Sequence, residues 1–145
     1  MRVSVILGRK GAAVATIPPD ATVAQAAQAL ADHDIGALVV SGDGQRVEGM
    51  LSERDIVRGL ARDGHACLEE AVHQMMTDTV AACSPETTVD ELMAMMTNKR
   101  IRHVPVIVES KLAGIVSIGD VVKSRLDELE VQANTLQQYV TGSPT

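Results

Sequence analysis

Apolar and polar positions follow two rhythms along this chain. Val23, Ala26, Ala27 and Leu30 recur at i, i+3, i+4 and i+7, which puts them on one face of a helix. Thr22 stands just before that stripe and Gln25 three residues after Thr22, the signature of a capping box. Upstream, Val3, Ile6 and Leu7 predict one or two helical turns ended by Gly11, and Ala13 to Ile17 predicts a short strand stopped by Pro18 and Pro19. Beyond His33-Asp34 the run from Ile35 to Val40 is continuously apolar and reads as a strand. Ser41-Gly42-Asp43-Gly44 predicts a tight hairpin turn, and Val47 to Leu51 the returning strand. Ser52 opens a second helix with Ile56, Val57 and Leu60 on its inner face, closed by Asp63-Gly64. Cys67 to Met76 predicts a bridging helix that carries Leu68, Val72, Met75 and Met76.

The same order then recurs. Val14 and Val80, Pro19 and Pro85, Thr22 and Thr88, Val23 and Val89, Ile35 and Ile101, and Val40 and Val106 are all 66 residues apart. The second hairpin turn is one residue shorter, so the interval becomes 65 for Gly49 and Gly114, Ser52 and Ser117, and Asp55 and Asp120. Thr88 and Glu91 predict a second capping box, and Val89, Leu92, Met93 and Met96 a second buried stripe. Met93, Met95 and Met96 read most simply as core and gap filling. The unit is β-α-β-β-α, present twice, an α/β (α+β) fold. Each copy is too small to bury a core well by itself, so the two are expected to pack on each other as a pseudo-two-fold pair. The expected bounds are 9–66 and 74–132, with a helical tail over 133–145. Along the extended last helix Val122, Leu126, Leu129, Ala133, Leu136 and Val140 are spaced 4-3-4-3-4. That seam suits a partner helix, and a two-fold homodimer is the default symmetry.

Composition narrows the function. The chain has 145 residues, 46% of them apolar, but no Phe or Trp and Tyr139 as its one aromatic. The core is therefore aliphatic, and a base-stacking nucleic-acid surface is a poor fit. A net charge of -6 also argues against a general phosphate-backbone binder, though not against a local basic pocket. Cys67 and Cys83 have no C-x-x-C spacing and read as small buried hydrophobes. No leader pattern and no run of membrane-span length is seen, so a cytoplasmic protein is expected.

The positions that carry candidate chemistry are Gly49-Met50-Leu51-Ser52-Glu53-Arg54-Asp55 and its echo Gly114-Ile115-Val116-Ser117-Ile118-Gly119-Asp120. Both read G-h-h-S-x-x-D, with h apolar. Ser-x-x-Asp at a helix start is a plain cap and needs no ligand. It is equally a place where free N–H groups and a positive dipole end meet a phosphate, beside a carboxylate able to accept both hydroxyls of a cis-diol. The two readings are compatible. Arg54, Arg102 and His103 can supply charge-assisted contacts to phosphates. Lys99, Arg100 and Arg102 also fit a solvated basic edge. On a strand only one of Arg102 and His103 can face a cleft. The first copy has Gly36-Ala37 where the second has Arg102-His103, so the two clefts are not equivalent. No nucleophile–base constellation is present, so no catalytic residue is assigned and no enzyme is expected. His103 lacks the clustered ligands of a metal site, and no metal is expected.

A tandem β-α-β-β-α unit, with Arg102-His103-Val104-Pro105-Val106 as an apolar-Pro-Val strand and G-h-h-S-x-x-D at each last helix, resembles a cystathionine-β-synthase (CBS) domain pair, or Bateman module. The resemblance covers roughly residues 9 to 132. Glu53-Arg54-Asp55, Ile101 to Val106, Ser117 to Lys123 and the Leu-Gln-Gln-Tyr-Val tail are similar to stand-alone bacterial pairs. The resemblance implies a regulatory module without catalysis or a catalytic cofactor, binding an adenosine-bearing ligand (AMP, ADP, ATP, NAD or S-adenosylmethionine) in up to two clefts. It implies that the acid of the motif holds the ribose, the serine meets phosphate or ribose, and adenine lies on the first and second strands. One cleft would then pair Ser117 and Asp120 with Val14, Thr16, Ile35, Gly36 and Ala37. The other would pair Ser52 and Asp55 with Val80, Ala82 and Ile101. The ligand's signal would pass to a regulated protein that the sequence does not name. The alternative is a ligand-free interaction module that dimerises and modulates a partner, by analogy with plant single-pair relatives acting on thioredoxin-type proteins.

Overall fold

The structure is a computed structural model and describes residues 1–141, without the side chain of Thr141; the last four positions of the predicted tail lie outside the described residues. The order is α1 (Val3–Lys10), β1 (Thr16–Ile17), α2 (Val23–His33), β2 (Ala37–Val40), β3 (Gly49–Ser52), α3 (Glu53–Asp63), a 3-10 segment (Gly64–Glu69), α4 (Val72–Met75), α5 (Val89–Lys99), β4 (His103–Val108), β5 (Lys111–Ser117) and α6 (Ile118–Thr141).

Two small sheets form, one per repeat. In the first, β1 runs parallel to β2 and β2 antiparallel to β3, with Ala37 opposite Ser52. In the second, β4 and β5 are antiparallel with His103 opposite Ser117, and only a parallel bridge from Cys83 to Val106 stands where β1 would be. Each sheet carries its own aliphatic core. Val23, Leu30, Leu38, Val40, Leu51 and Ile56 gather in the first half, and Val89, Leu92, Met96, Val104, Val106 and Val116 in the second. Both cysteines are buried, and burial pushes the Cys83 thiol up to about 11.

The cores are closed crosswise. The helix that precedes the first repeat, α1, docks on the second, and α4, which precedes the second repeat, docks on the first. The three backbone hydrogen bonds that fasten them match one for one. Val3 N donates to Thr87 O at 2.8 Å as Val72 N does to Ala21 O at 2.8 Å, and Ser4 N to Pro85 O as His73 N to Pro19 O, both at 3.0 Å. Val89 N donates to Met1 O as Val23 N donates to Glu70 O, both at 2.9 Å. Val3 and Ile6 thereby belong to the second core and Val72 to the first. Complete burial of such side chains contributes roughly 1.5–3 kcal/mol each. Two glycines allow the approach: a Cβ on Gly114 would lie 2.7 Å from Leu7 Cδ2, and one on Gly49 2.5 Å from Met76 Sδ and 2.9 Å from Thr77 O.

Several local expectations shift. The strand expected over 13–17 keeps only Thr16–Ile17, because its pairing with β2 stops at the Thr16–Val39 step. The returning strand starts at Gly49, since Asp43 Oδ1 accepts from Gln45 N and Arg46 N and holds 41–48 as a longer loop. The bridging helix is broken at Glu70-Ala71, which are held extended by the Glu70 bond to Val23 and a bridge between Ala71 and Thr22. On α3 the inner face is Ile56 and Gly59, with Gly59 tight against Met75, and the helical period turns Val57 and Leu60 outward. The Thr22 box closes as expected, whereas Thr88 accepts from Glu91 N without a returning bond from the Glu91 side chain. Met93 lies at the surface while Val89, Leu92 and Met96 are buried.

Candidate functional site

Each hairpin ends on the serine of the doubled motif, and the next residue begins a helix. The antiparallel register forces this, since Ser52 and Ser117 are the last paired residues of β3 and β5. Both serines cap. Ser52 N donates to Asp55 Oδ2 at 2.9 Å and Asp55 N to Ser52 Oγ at 3.3 Å. Ser117 N donates to Asp120 Oδ2 at 2.8 Å and Asp120 N to Ser117 Oγ at 3.2 Å. The capping box therefore exists in both copies, and each uses one carboxylate oxygen.

The repeats leave two clefts between them. The first is lined by Ser52, Arg54 and Asp55 from one half and Val80, Ile101, Arg102 and His103 from the other, with Gly36 and Ala37 at its back. Its recess is about 130 Å³. Small-molecule pockets usually run to roughly 300–1,000 Å³. A small molecule of that size would thus be enclosed only in part, with the rest over the cleft mouth. Arg54, Arg100 and Arg102 stand at that mouth and enter none of the ion pairs among the described residues. The second cleft is broader, about 570 Å³, and is lined by Val14, Ile35, Gly36, Ala37 and Ser117, with Lys10 at its edge.

Gly36 and Ala37, expected in the Ser117 cleft, line both. Arg102 and His103 both line the first cleft, contrary to the alternation argument, because β4 begins only at His103 and Arg102 is still in the preceding bend. Thr16 and Ala82 lie outside both linings. Asp120 is also outside them. It faces a recess against α1, beside Arg9 and Lys10.

Sequence reasoning missed Thr77, Thr79 and Lys10. The threonines line the first cleft ahead of Val80, where Thr77 N and Met50 O join at 2.9 Å along the edge of β3. Lys10 Nζ donates to Asp120 Oδ2 at 2.7 Å and to Ile115 O at 3.0 Å. A signal for these residues exists in the spacing, because the segment leading into each first strand differs between the copies: Lys10-Gly11-Ala12-Ala13 against Met76-Thr77-Asp78-Thr79.

His103 sits where the clefts meet. A Cβ on Gly36 would come within 3.2 Å of its Cε1, so any larger residue there would make the ring give by a few tenths of an ångström. Burial holds its pKa below the ordinary value; Glu53 and Asp120 pull the other way, and Lys10 and Arg102 add to the lowering. At Asp120 burial pushes the carboxyl up, but the hydrogen bond from Lys10 and those within the cap outweigh it, so the net direction is down. Among the described residues no group of His, Cys, Asp and Glu is placed to hold a metal ion, and no helix is long and apolar enough to cross a membrane.

A family model described as CBS domain matches residues 11–62 and again residues 72–127. The chain belongs to the CBS-domain family. Solved and curated CBS-domain proteins agree with the two-repeat architecture. A CBS-domain containing protein from Agrobacterium tumefaciens superposes with a TM-score of 0.83 and 47% identity, covering 86% of this chain and 99% of that one. The mitochondrial CBS domain-containing protein CBSX3 of Arabidopsis thaliana is 37% identical over 127 residues, which is 85% of this chain and 62% of the relative's length. The chain thus spans less than two thirds of that relative. Hypoxic response protein 1 of Mycobacterium tuberculosis is 34% identical over 122 residues, covering 83% of this CBS pair and 85% of that protein.

The lowered His103 has a consequence for stability. The unfolded chain takes up its proton near the ordinary value of about 6.5, before the folded chain does. Stability is therefore present above that value and lost as pH falls through it toward the folded pKa. Between about pH 7.5 and about pH 5.5 the melting temperature of the parent should fall more than that of His103→Gln, followed by circular dichroism. Equal falls would contradict the burial argument.

Proposed function

We propose that this CBS pair is a regulatory module that binds an adenosine-bearing ligand in its first cleft. In this reading Asp55 accepts the ribose hydroxyls and the Ser52 end of α3 faces the phosphate. Arg54, Arg102 and His103 surround that phosphate, and adenine enters the slot of Ala37, Val80 and Ile101. The observation that carries the reading is that Asp55 lines the cleft, spends Oδ2 on the cap, and enters no ion pair among the described residues. The three arginines at the mouth, without ion pairs among the described residues of an otherwise acidic chain, favour ligands with phosphate over those without. The ligand would bind between halves that α1 and α4 tie together. Filling the cleft would therefore alter the rigidity of the pair, which a regulated partner protein can read.

The exposed stripe on α6 supports a second copy of the chain as an additional partner. Val122, Leu126, Leu129 and Leu136 are each more than half exposed, at 51%, 61%, 59% and 65%. With Ala133 between the two last leucines the spacing is 4-3-4-3 along one seam, which matches a like helix better than an irregular surface. A purely interaction-based role, with clefts unused, rests on this same observation.

Asp55→Asn keeps an oxygen for the cap and removes the charge that a diol needs. A hydrogen bond to a charged group is worth roughly 1.5–3 kcal/mol, or about tenfold or more in affinity. Calorimetric titration with ATP should show at least that loss in Asp55→Asn while its melting curve stays close to the parent's; unchanged affinity would overturn this use of the acid. In sedimentation experiments the parent should run as a dimer and the double substitution Leu129→Asp with Leu136→Asp as a monomer. A parent that is monomeric throughout would remove the seam from the account, and loss of ATP binding in the monomer would make the clefts depend on it.

A further inference from the structure

We propose that Lys10 closes the second cleft to ribose, so that this CBS pair takes one adenosine-type ligand per chain. The inference rests on the preceding reading of the motif acids and deepens it. The two acids occupy equivalent positions, 65 residues apart, and make the same cap. They differ in what faces their remaining capacity. Asp55 lines its cleft. Asp120 is turned toward a recess against α1, and Lys10, not Asp120, borders the second cleft beside Ser117. The ammonium of Lys10 lies 2.7 Å from Asp120 Oδ2, and both side chains are largely covered, at 31% and 23% exposure.

The crosswise docking explains why a lysine arrives there. Counting from the matched backbone bonds, α1 corresponds to the segment 69 residues later, so Leu7 corresponds to Met76 and Gly8 to Thr77. In the first half the chain leaves the helix after Met75, and Thr77 N donates to Met50 O. In the second half α1 continues as helix to Lys10, and the lysine ammonium donates to Ile115 O, the counterpart of Met50 O. The helix therefore replaces an extended, threonine-bearing cleft wall with a cation held at two points. Lys10 shares Oδ2 with the cap, so the closure lies in position: the ammonium borders the second cleft where Asp120 does not, and a neutral cis-diol, which offers only O–H donors, would have to pass a bound cation to reach the carboxylate. The Asp120 carboxyl stays charged near neutrality, since the lysine and the cap hold it below its ordinary range.

The test is a titration with adenosine, which carries no phosphate, followed by NMR on the parent, Lys10→Met, and Lys10→Met combined with Asp55→Asn or with Asp120→Asn. The parent should bind one adenosine per chain and Lys10→Met two. The added site should survive Asp55→Asn and disappear with Asp120→Asn. The Asp120 side-chain carboxyl resonance should titrate at higher pH in Lys10→Met than in the parent. Two sites in the parent, or in Lys10→Met a single site that Asp55→Asn removes, would overturn the closure, as would an Asp120 titration that ignores the substitution. A parent that binds none while Lys10→Met binds one at Asp120 would uphold the closure and sink the reading of the first cleft. No binding by any variant would overturn both.

Discussion

The exchange of α1 and α4 between the halves is the constraint on which both clefts depend. Neither repeat closes its core with the residues of its own β-α-β-β-α unit. The second core needs Val3 and Ile6, and the first needs Val72. Each small unit thus gains apolar area from a segment that the chain supplies before the other unit, which locks the two together. The same fastening sets where the chain enters each first strand, and that entry forms one wall of each cleft. Thr77 and Thr79 on one side and Lys10 on the other are consequences of how far each docked helix runs.

Pseudo-symmetry at the level of backbone therefore coexists with asymmetry of chemistry. The caps match to within a few tenths of an ångström, yet one acid faces a cleft rimmed by arginines and the other is engaged by a lysine. His103 stands at the junction, given room by Gly36 and surrounded by charged groups from both halves. A single binding event at the Asp55 cleft would press on that junction, which is a physical route from ligand to the far half of the module.

Much of this architecture was legible in the sequence because it is carried by local rules repeated at a fixed interval. The Thr22 and Thr88 helix starts, the strand of Ala37 to Val40, and the two serine-to-helix junctions all follow from caps and periodicity. The doubled acid motif pointed to Ser52, Asp55, Ser117 and Asp120 for the same reason. Tertiary facts were not legible. The sequence pattern of Cys67 to Met76 is helical, but pairing with Thr22 and Val23 holds its middle extended. Val57 and Leu60 look inward by hydrophobicity and turn outward because Gly59 is the residue that meets Met75. The contact between Lys10 and Asp120 spans 110 positions and arises only once α1 docks on the opposite repeat.

The central claim is that the Asp55 cleft recognises the adenosine group. It is tested most directly by the melting temperature of the pure protein with AMP, ADP, ATP, NAD, NADH and S-adenosylmethionine, each at about 1 mM. A ligand at 100 times its dissociation constant, bound only to the folded chain, adds about 2.7 kcal/mol. In a chain of this length that is a rise of several degrees. The account predicts such a rise with at least one of the six, largest for a ligand that carries phosphate. A flat response to all six would contradict it and leave the exposed seam of α6 as the functional surface.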